Sequence, residues 1–139
     1  MGWELSINGD TFVAPSREEV RGYLAQARQP EFLELWLARD DDDNDQGAMS
    51  NDQGAMSLLA NGDHAWLMHL RHHDGDAGFS SRNPTYDGPP DATASFRLSN
   101  GQLDTYPLAW TVSRERALQA IEHFLVTGER VPWITWHED

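Results

Sequence analysis

The order of apolar and polar positions is clearest between Ser113 and Trp136, SRERALQAIEHFLVTGERVPWITW. Ala117, Leu118, Ile121, Phe124 and Leu125 recur at helical spacing and make one apolar stripe, with Arg114, Arg116, Gln119 and Glu122 outside it. Ser113 stands where an N-cap belongs, because its hydroxyl can accept from the unpaired amides of the first turn. Gly128 can take the left-handed conformation that closes a helix, and Pro132 cannot continue one. The chain is therefore expected to turn and run extended through Trp133, Ile134, Thr135 and Trp136.

Upstream, Trp3, Leu5 and Ile7 alternate with Glu4 and Ser6 as in a half-buried strand, and Asn8-Gly9-Asp10 is turn chemistry leading into Thr11, Phe12 and Val13. Ser16 and Glu19 make a capping box for a helix through about Arg28, with Val20, Tyr23, Leu24 and Ala27 on its buried side. In EFLELWLAR, Leu33, Leu35 and Leu37 share one face and Phe32, Glu34 and Trp36 the other; apolar residues on both faces predict an interior strand. Asp40, Asp41, Asp42, Asp43 and Asp45 then crowd together, and the heptad NDQGAMS occurs at 44–50 and again at 51–57. So short a tandem copy reads as a local duplication in a loop, since solenoid repeats run to about 20–50 residues and closure entropy grows slowly with loop length.

Between His64 and Tyr106 the pattern predicts two successive hairpins. Pairing outward from Asp74-Gly75 sets Leu70 opposite Phe79; pairing outward from Asn100-Gly101 sets Leu98 opposite Leu103, Phe96 opposite Thr105 and Arg97 opposite Asp104. The proline-rich run 83–92 separates them. The resulting order, β-α-β-ββββ-α-β, describes a single α+β domain over residues 1–139: a largely antiparallel sheet with two helices packed on one face and an acidic loop insertion at about 40–57.

Charge narrows the possible partners. With 23 acidic against 10 basic residues the formal charge is -13, which repels nucleic acid and anionic membrane and favours basic surfaces. The absence of cysteine removes disulfides, thiolate nucleophiles and cysteine-based zinc sites. No run approaches the ~20 apolar residues of a membrane span, and the N-terminus lacks the order of a secretory signal, so a cytoplasmic location is expected.

Candidate chemistry is sparse. His64, His69, His72 and His73 suggest a metal, but on a strand His72 and His73 point to opposite faces, and His69 and His73 stand about 13 Å apart at ~3.3 Å per residue. A solvent-facing polar strand surface is the simpler reading. Asp42, Asn44, Gln46 and Gly47 imitate the start of a calcium loop, but its twelfth position is Gln53 rather than glutamate. No nucleophile elbow, phosphate loop or dinucleotide fingerprint occurs, so no catalytic residue, metal or cofactor is assigned. Of the tryptophans, Trp3, Trp36, Trp66 and Trp110 are expected in the core, while Trp133 and Trp136 alternate on the last strand, leaving one less buried.

The run Phe124, Thr127, Gly128, Glu129, Arg130 at the end of the helix, followed by Ile134, Thr135 and Trp136, resembles immunity protein family one of bacterial polymorphic toxin systems. Val131 stands where members usually carry proline, with Pro132 one place later. The resemblance implies a small cytosolic protein, without catalysis of its own, that binds and neutralises a cognate toxin domain such as a nucleic-acid deaminase or nuclease. Such toxins carry basic clefts, so the acidic charge fits. On that footing Asp40, Asp41, Asp42, Asp43 and Asp45 are the first expected toxin-facing residues, and Asp74, Asp76, Asp87 and Asp91 the second. The expected assembly is a monomer that joins the toxin one-to-one, with no nucleic acid or membrane involved. A small metal-dependent enzyme and an acidic mimic of DNA are the alternative readings.

Overall fold

A strand that ends in Asn8-Gly9 is set up to reverse. In the computed structural model, which describes residues 2–13, 16–26, 32–40, 54–70 and 78–139, β1 (Gly2–Ile7) and β2 (Asp10–Val13) form that hairpin. Asn8 at φ 51 and Gly9 at φ 90 supply the consecutive left-handed residues that match the twist of the strands they join. On its other side β1 pairs antiparallel with β3 (Leu33–Asp40), and β3 pairs in turn with β4 (Ala55–Asn61). The interior position expected for β3 is borne out, and Leu33, Leu35 and Leu37 are buried.

The sheet continues through β5 (His64–Leu70) and β6 (Phe79–Arg82). β7 (Thr93–Arg97) and β8 (Leu103–Pro107) form a separate two-stranded sheet, and the short β9 (Val112–Ser113) returns to pair with β5. After the second helix, β10 (Thr135–Glu138) pairs with β6, giving the main sheet the order β10-β6-β5-β4-β3-β1-β2 with every pairing antiparallel.

Both helices cover one face of this sheet. In α1 (Arg17–Gln26) the capping box closes as expected: the Ser16 amide donates to Glu19 Oε1 at 2.8 Å, and the Glu19 amide donates to Ser16 Oγ at 3.1 Å. In α2 (Arg114–Thr127) the Arg116 amide donates to Ser113 Oγ at 3.2 Å, and Gly128, at φ 77, donates its N–H to Phe124 O at 2.7 Å. All of the predicted stripe, Ala117, Leu118, Ile121, Phe124 and Leu125, is buried against Leu5, Leu35, Leu37, Met56, Leu58 and Leu67. Phe124 meets Trp3 edge-on, with ring centroids 5.8 Å apart. The α+β class, with two helices on one face of a largely antiparallel sheet, is what the structure shows.

Four details differ from the sequence reading. First, β4 takes in Ala55–Ser57, the end of the second heptad copy, which the sequence pattern assigns to the acidic loop; Ala55, Met56, Leu58, Leu59 and Ala60 are buried. A strand buried on both faces shows no alternation, and its signal merged with the repeat beside it. Second, the expected four-strand meander divides. β5 and β6 stay in the main sheet, while the β7–β8 hairpin lies over the opposite face and buries Phe96 with Leu59 and Trp66. Apolar side chains on that face of β4 and β5 need a cover, and the hairpin supplies it.

Third, both hairpin registers shift by one. Phe79 pairs with His69 rather than Leu70. Gly78, at φ 84, stands just ahead of β6 against the His69 carbonyl, where a Cβ would come within 2.8 Å. At the other hairpin Leu103 pairs with Arg97 and Asp104 with Phe96. Its turn is longer than two residues: Gly101 N–H donates to Leu98 O at 2.9 Å and Leu98 N–H donates to Gln102 O at 2.8 Å, with Gly101 at φ 91. A bulged turn with glycine in the left-handed position adds the residue that moves the register. Leu103 is consequently 56% exposed, and Arg97 does not face Asp104. Fourth, Arg114 lies buried rather than outside the stripe, with Nη1 donating to Gly62 O at 3.0 Å.

Candidate partner-binding surface

The connections between strands decide which acidic residues can act together. The chain leaves β3 at Asp40 and re-enters the sheet at Ala55; it leaves β5 at Leu70 and re-enters at Phe79. In an antiparallel succession β3-β4-β5-β6, these two connections belong to the same end of the sheet. Asp40 closes β3 at that end. Asp41, Asp42, Asp43, Asp45, Asp74 and Asp76 lie outside the described residues.

Asp87 and Asp91 are exposed and belong to the opposite end, because the proline-rich segment follows β6 from Arg82. That segment is well tied. Asn83 N–H donates to Ala109 O at 2.7 Å, Asn83 Oδ1 accepts from the Thr85 hydroxyl at 2.7 Å, and the Tyr86 hydroxyl donates to Pro89 O at 2.8 Å. The structure therefore separates Asp87 and Asp91 from Asp40. It sets beside them an exposed aspartate that the sequence reading passed over: Asp63, in the turn between β4 and β5, lines a cavity of about 170 Å³ together with Asn83, Tyr86 and Ser113. The Gly62-Asp63 dipeptide is a turn signal in the sequence, obscured because the strand before it, β4, is buried on both faces and shows no alternation.

Charged and polar groups elsewhere are mostly committed to the fold. Arg82 Nη1 donates to Ser80 Oγ and Ser81 O, both at 2.8 Å, and its guanidinium lies 3.9 Å above the Trp110 ring. Burial lowers its pKa, against which the Asp139 carboxylate acts in the opposite direction. Burial raises the Tyr106 phenol above its ordinary value, and the Asp104 carboxylate beside it adds to the rise. His69, read as part of a solvent-facing strand surface, is instead buried with its ring against the edge of Phe124, centroids 5.7 Å apart. By strand alternation His69 shares the face of Ala65 and Leu67, which line the helix-side core, and so is buried with them. His72 and His73 lie outside the described residues.

The tryptophans sort by layer. Trp3 and Trp66 are buried, and Trp66 stacks on Tyr106 with centroids 4.2 Å apart. Trp36, Trp110 and Trp136 are half-buried, Trp136 donating from Nε1 to Val131 O at 3.0 Å. Trp133 stands in the turn ahead of β10 rather than in the strand, and is 42% exposed. No helix among the described residues is long and apolar enough to cross a membrane. Among the described residues, Asp63, Asp87 and Asp91 are exposed at one end of the main sheet, and Asp40 closes β3 at the other.

The family model of immunity protein Imm1 matches residues 8–138, nearly the whole chain. A comparison with curated proteins found no match.

Proposed function

The chain belongs to the Imm1 family of immunity proteins, and from that premise we propose that it neutralises a cognate toxin domain by occluding a basic, nucleic-acid-handling cleft with its acidic loops. The observation that carries this reading is the family match over residues 8–138, taken with a formal charge of -13. A deaminase or nuclease must attract phosphate, and a strongly acidic protein is steered to the same surface by the same field. Binding rather than catalysis is the proposed activity, in the cytoplasm, by a monomer that forms a one-to-one complex without metal or cofactor.

Asp40, Asp41, Asp42, Asp43 and Asp45 are the first proposed contacts, joined by Asp74 and Asp76. Support comes from the topology, since the chain segments that carry them leave from one end of the sheet. Asp87 and Asp91, at the other end with Asp63, form the second group.

Co-expression with the toxin encoded beside this chain tests the reading. Rescue of growth, with a salt-sensitive one-to-one complex on purification, is the expected result. Promiscuous binding to unrelated basic proteins that collapses with salt would favour the DNA-mimic alternative. Failure to bind or protect against the neighbouring toxin would remove the immunity reading.

A further inference from the structure

Among the ion pairs of the described residues, Arg21 meets Glu122 at 3.1 Å, and Arg82 and His137 approach Asp139 at 4.0 and 3.9 Å. Arg116 takes part in none of them. Its guanidinium is exposed and, among the described residues, meets no carboxylate. It lies instead over the exposed Trp133 ring, 4.9 Å from the centroid, and its one hydrogen bond, to Trp133 O, is long at 3.5 Å.

Arg116 and Trp133 form one wall of a cavity of about 150 Å³, completed by Asn83, Pro84, Thr85 and Thr135 among others. Its unused hydrogen-bonding capacity is largely donor. Asn83 Oδ1 is occupied by the Thr85 amide and hydroxyl, whereas its side-chain N–H groups meet no acceptor among the described residues; nor does the Trp133 indole N–H. Guanidinium, indole N–H and amide N–H together ask for an acceptor with negative charge. The overall charge of -13 disfavours nucleic acid, a polyanion whose phosphates meet the whole surface, as its source.

We infer that the Arg116–Trp133 pocket receives a carboxylate side chain from a loop of the toxin domain, and that this contact is a hot spot that fixes the toxin's orientation. The inference rests on the immunity reading. Tryptophan and arginine are the residues that most often dominate binding energy, and a positive charge set within an acidic surface rejects misaligned partners. One toxin can reach both ends of the sheet: the seven residues of β5 span roughly 23 Å, and a standard interface of about 800 Å² per partner is about 30 Å across.

The test is calorimetric titration of the full chain with the neighbouring toxin domain. Arg116→Glu should weaken the complex by about 30-fold or more, the range of hot-spot losses, and Trp133→Ala similarly. Arg116→Glu keeps the fold, because glutamate three residues into a helix capped by serine completes a capping box; thermal unfolding should be unchanged. Exchanging the toxin's matching Asp or Glu for Arg should restore binding to Arg116→Glu alone. Arg116→Glu binding within about twofold of the unmodified chain, well short of a hot-spot loss, would overturn the pocket while leaving the immunity reading in place. No complex with the unmodified chain would overturn both.

Discussion

The two faces of the main sheet are closed by different means. On the helix side, α1 and α2 seal a continuous core from Trp3 and Leu5 through Leu35, Leu58 and Leu67 to Phe124 and Ile134. On the hairpin side, β7 and β8 cover a small aromatic cluster of Leu59, Trp66 and Phe96, edged by Tyr106 and Trp110. The first is an aliphatic interior held by many interchangeable contacts; the second depends on a few rings in one register. Stability should reside mainly on the helix side, with the hairpin free to open on its own.

Truncating one phenylalanine on each side gives the largest contrast. Phe124→Ala should cost about 3–5 kcal/mol and shift the whole unfolding transition, because the ring is fully buried against Trp3 and His69. Phe96→Ala, also fully buried, should lose about 3 kcal/mol, with hydrogen exchange speeding up in β7 and β8 ahead of α2. Uniform acceleration across both layers would break the comparison.

A milder version uses the glycines that end one element on each side. Gly128→Ala and Gly101→Ala place a Cβ at φ 77 and φ 91, costing about 1–2 kcal/mol each. The first should lower the global denaturation midpoint; the second should act through the hairpin, seen as faster exchange at Leu98 and Gln102, whose backbone groups pair across that turn.

The smallest effect is electrostatic and belongs to the hairpin side alone. The Tyr106 phenol is raised in the fold above its ordinary 10.0, first by burial and then by Asp104. The folded state therefore holds this proton longer than the unfolded chain. The stabilisation is complete below the unfolded value and is lost as pH climbs through the folded one. Denaturation midpoints measured from about pH 9 to 11 should fall less steeply in Tyr106→Phe, and an unchanged slope would remove Tyr106 from the account.

The same contrast explains what the sequence made legible. Elements with local chemistry read correctly: the Asn8-Gly9 hairpin, the Ser16–Glu19 box, and the Ser113 cap with its stripe and Gly128 stop. Features fixed by distant partners did not. β4 has no alternation because both of its faces are covered, and the register at Asn100-Gly101 depends on a bulge that the dipeptide alone does not announce. Arg114 sits on the polar side of the helical pattern yet is buried, because the Gly62 carbonyl comes to it from another turn. The family was legible from the Phe124 to Trp136 stretch, and the match over residues 8–138 bears it out. The acidic surface was legible as charge but not as arrangement: only the strand order shows that Asp87 and Asp91 stand at the end away from Asp40.

The central claim, that the acidic loops bind while the helix-backed sheet supports them, is tested most directly by titrating the cognate toxin with the chain and with a variant carrying Asn at Asp40, Asp41, Asp42 and Asp43. The account predicts a one-to-one complex for the unmodified chain and, for the variant, an affinity lower by about tenfold or more with a shallower salt dependence and unchanged thermal unfolding. Equal affinity and equal salt dependence for the two proteins would contradict it.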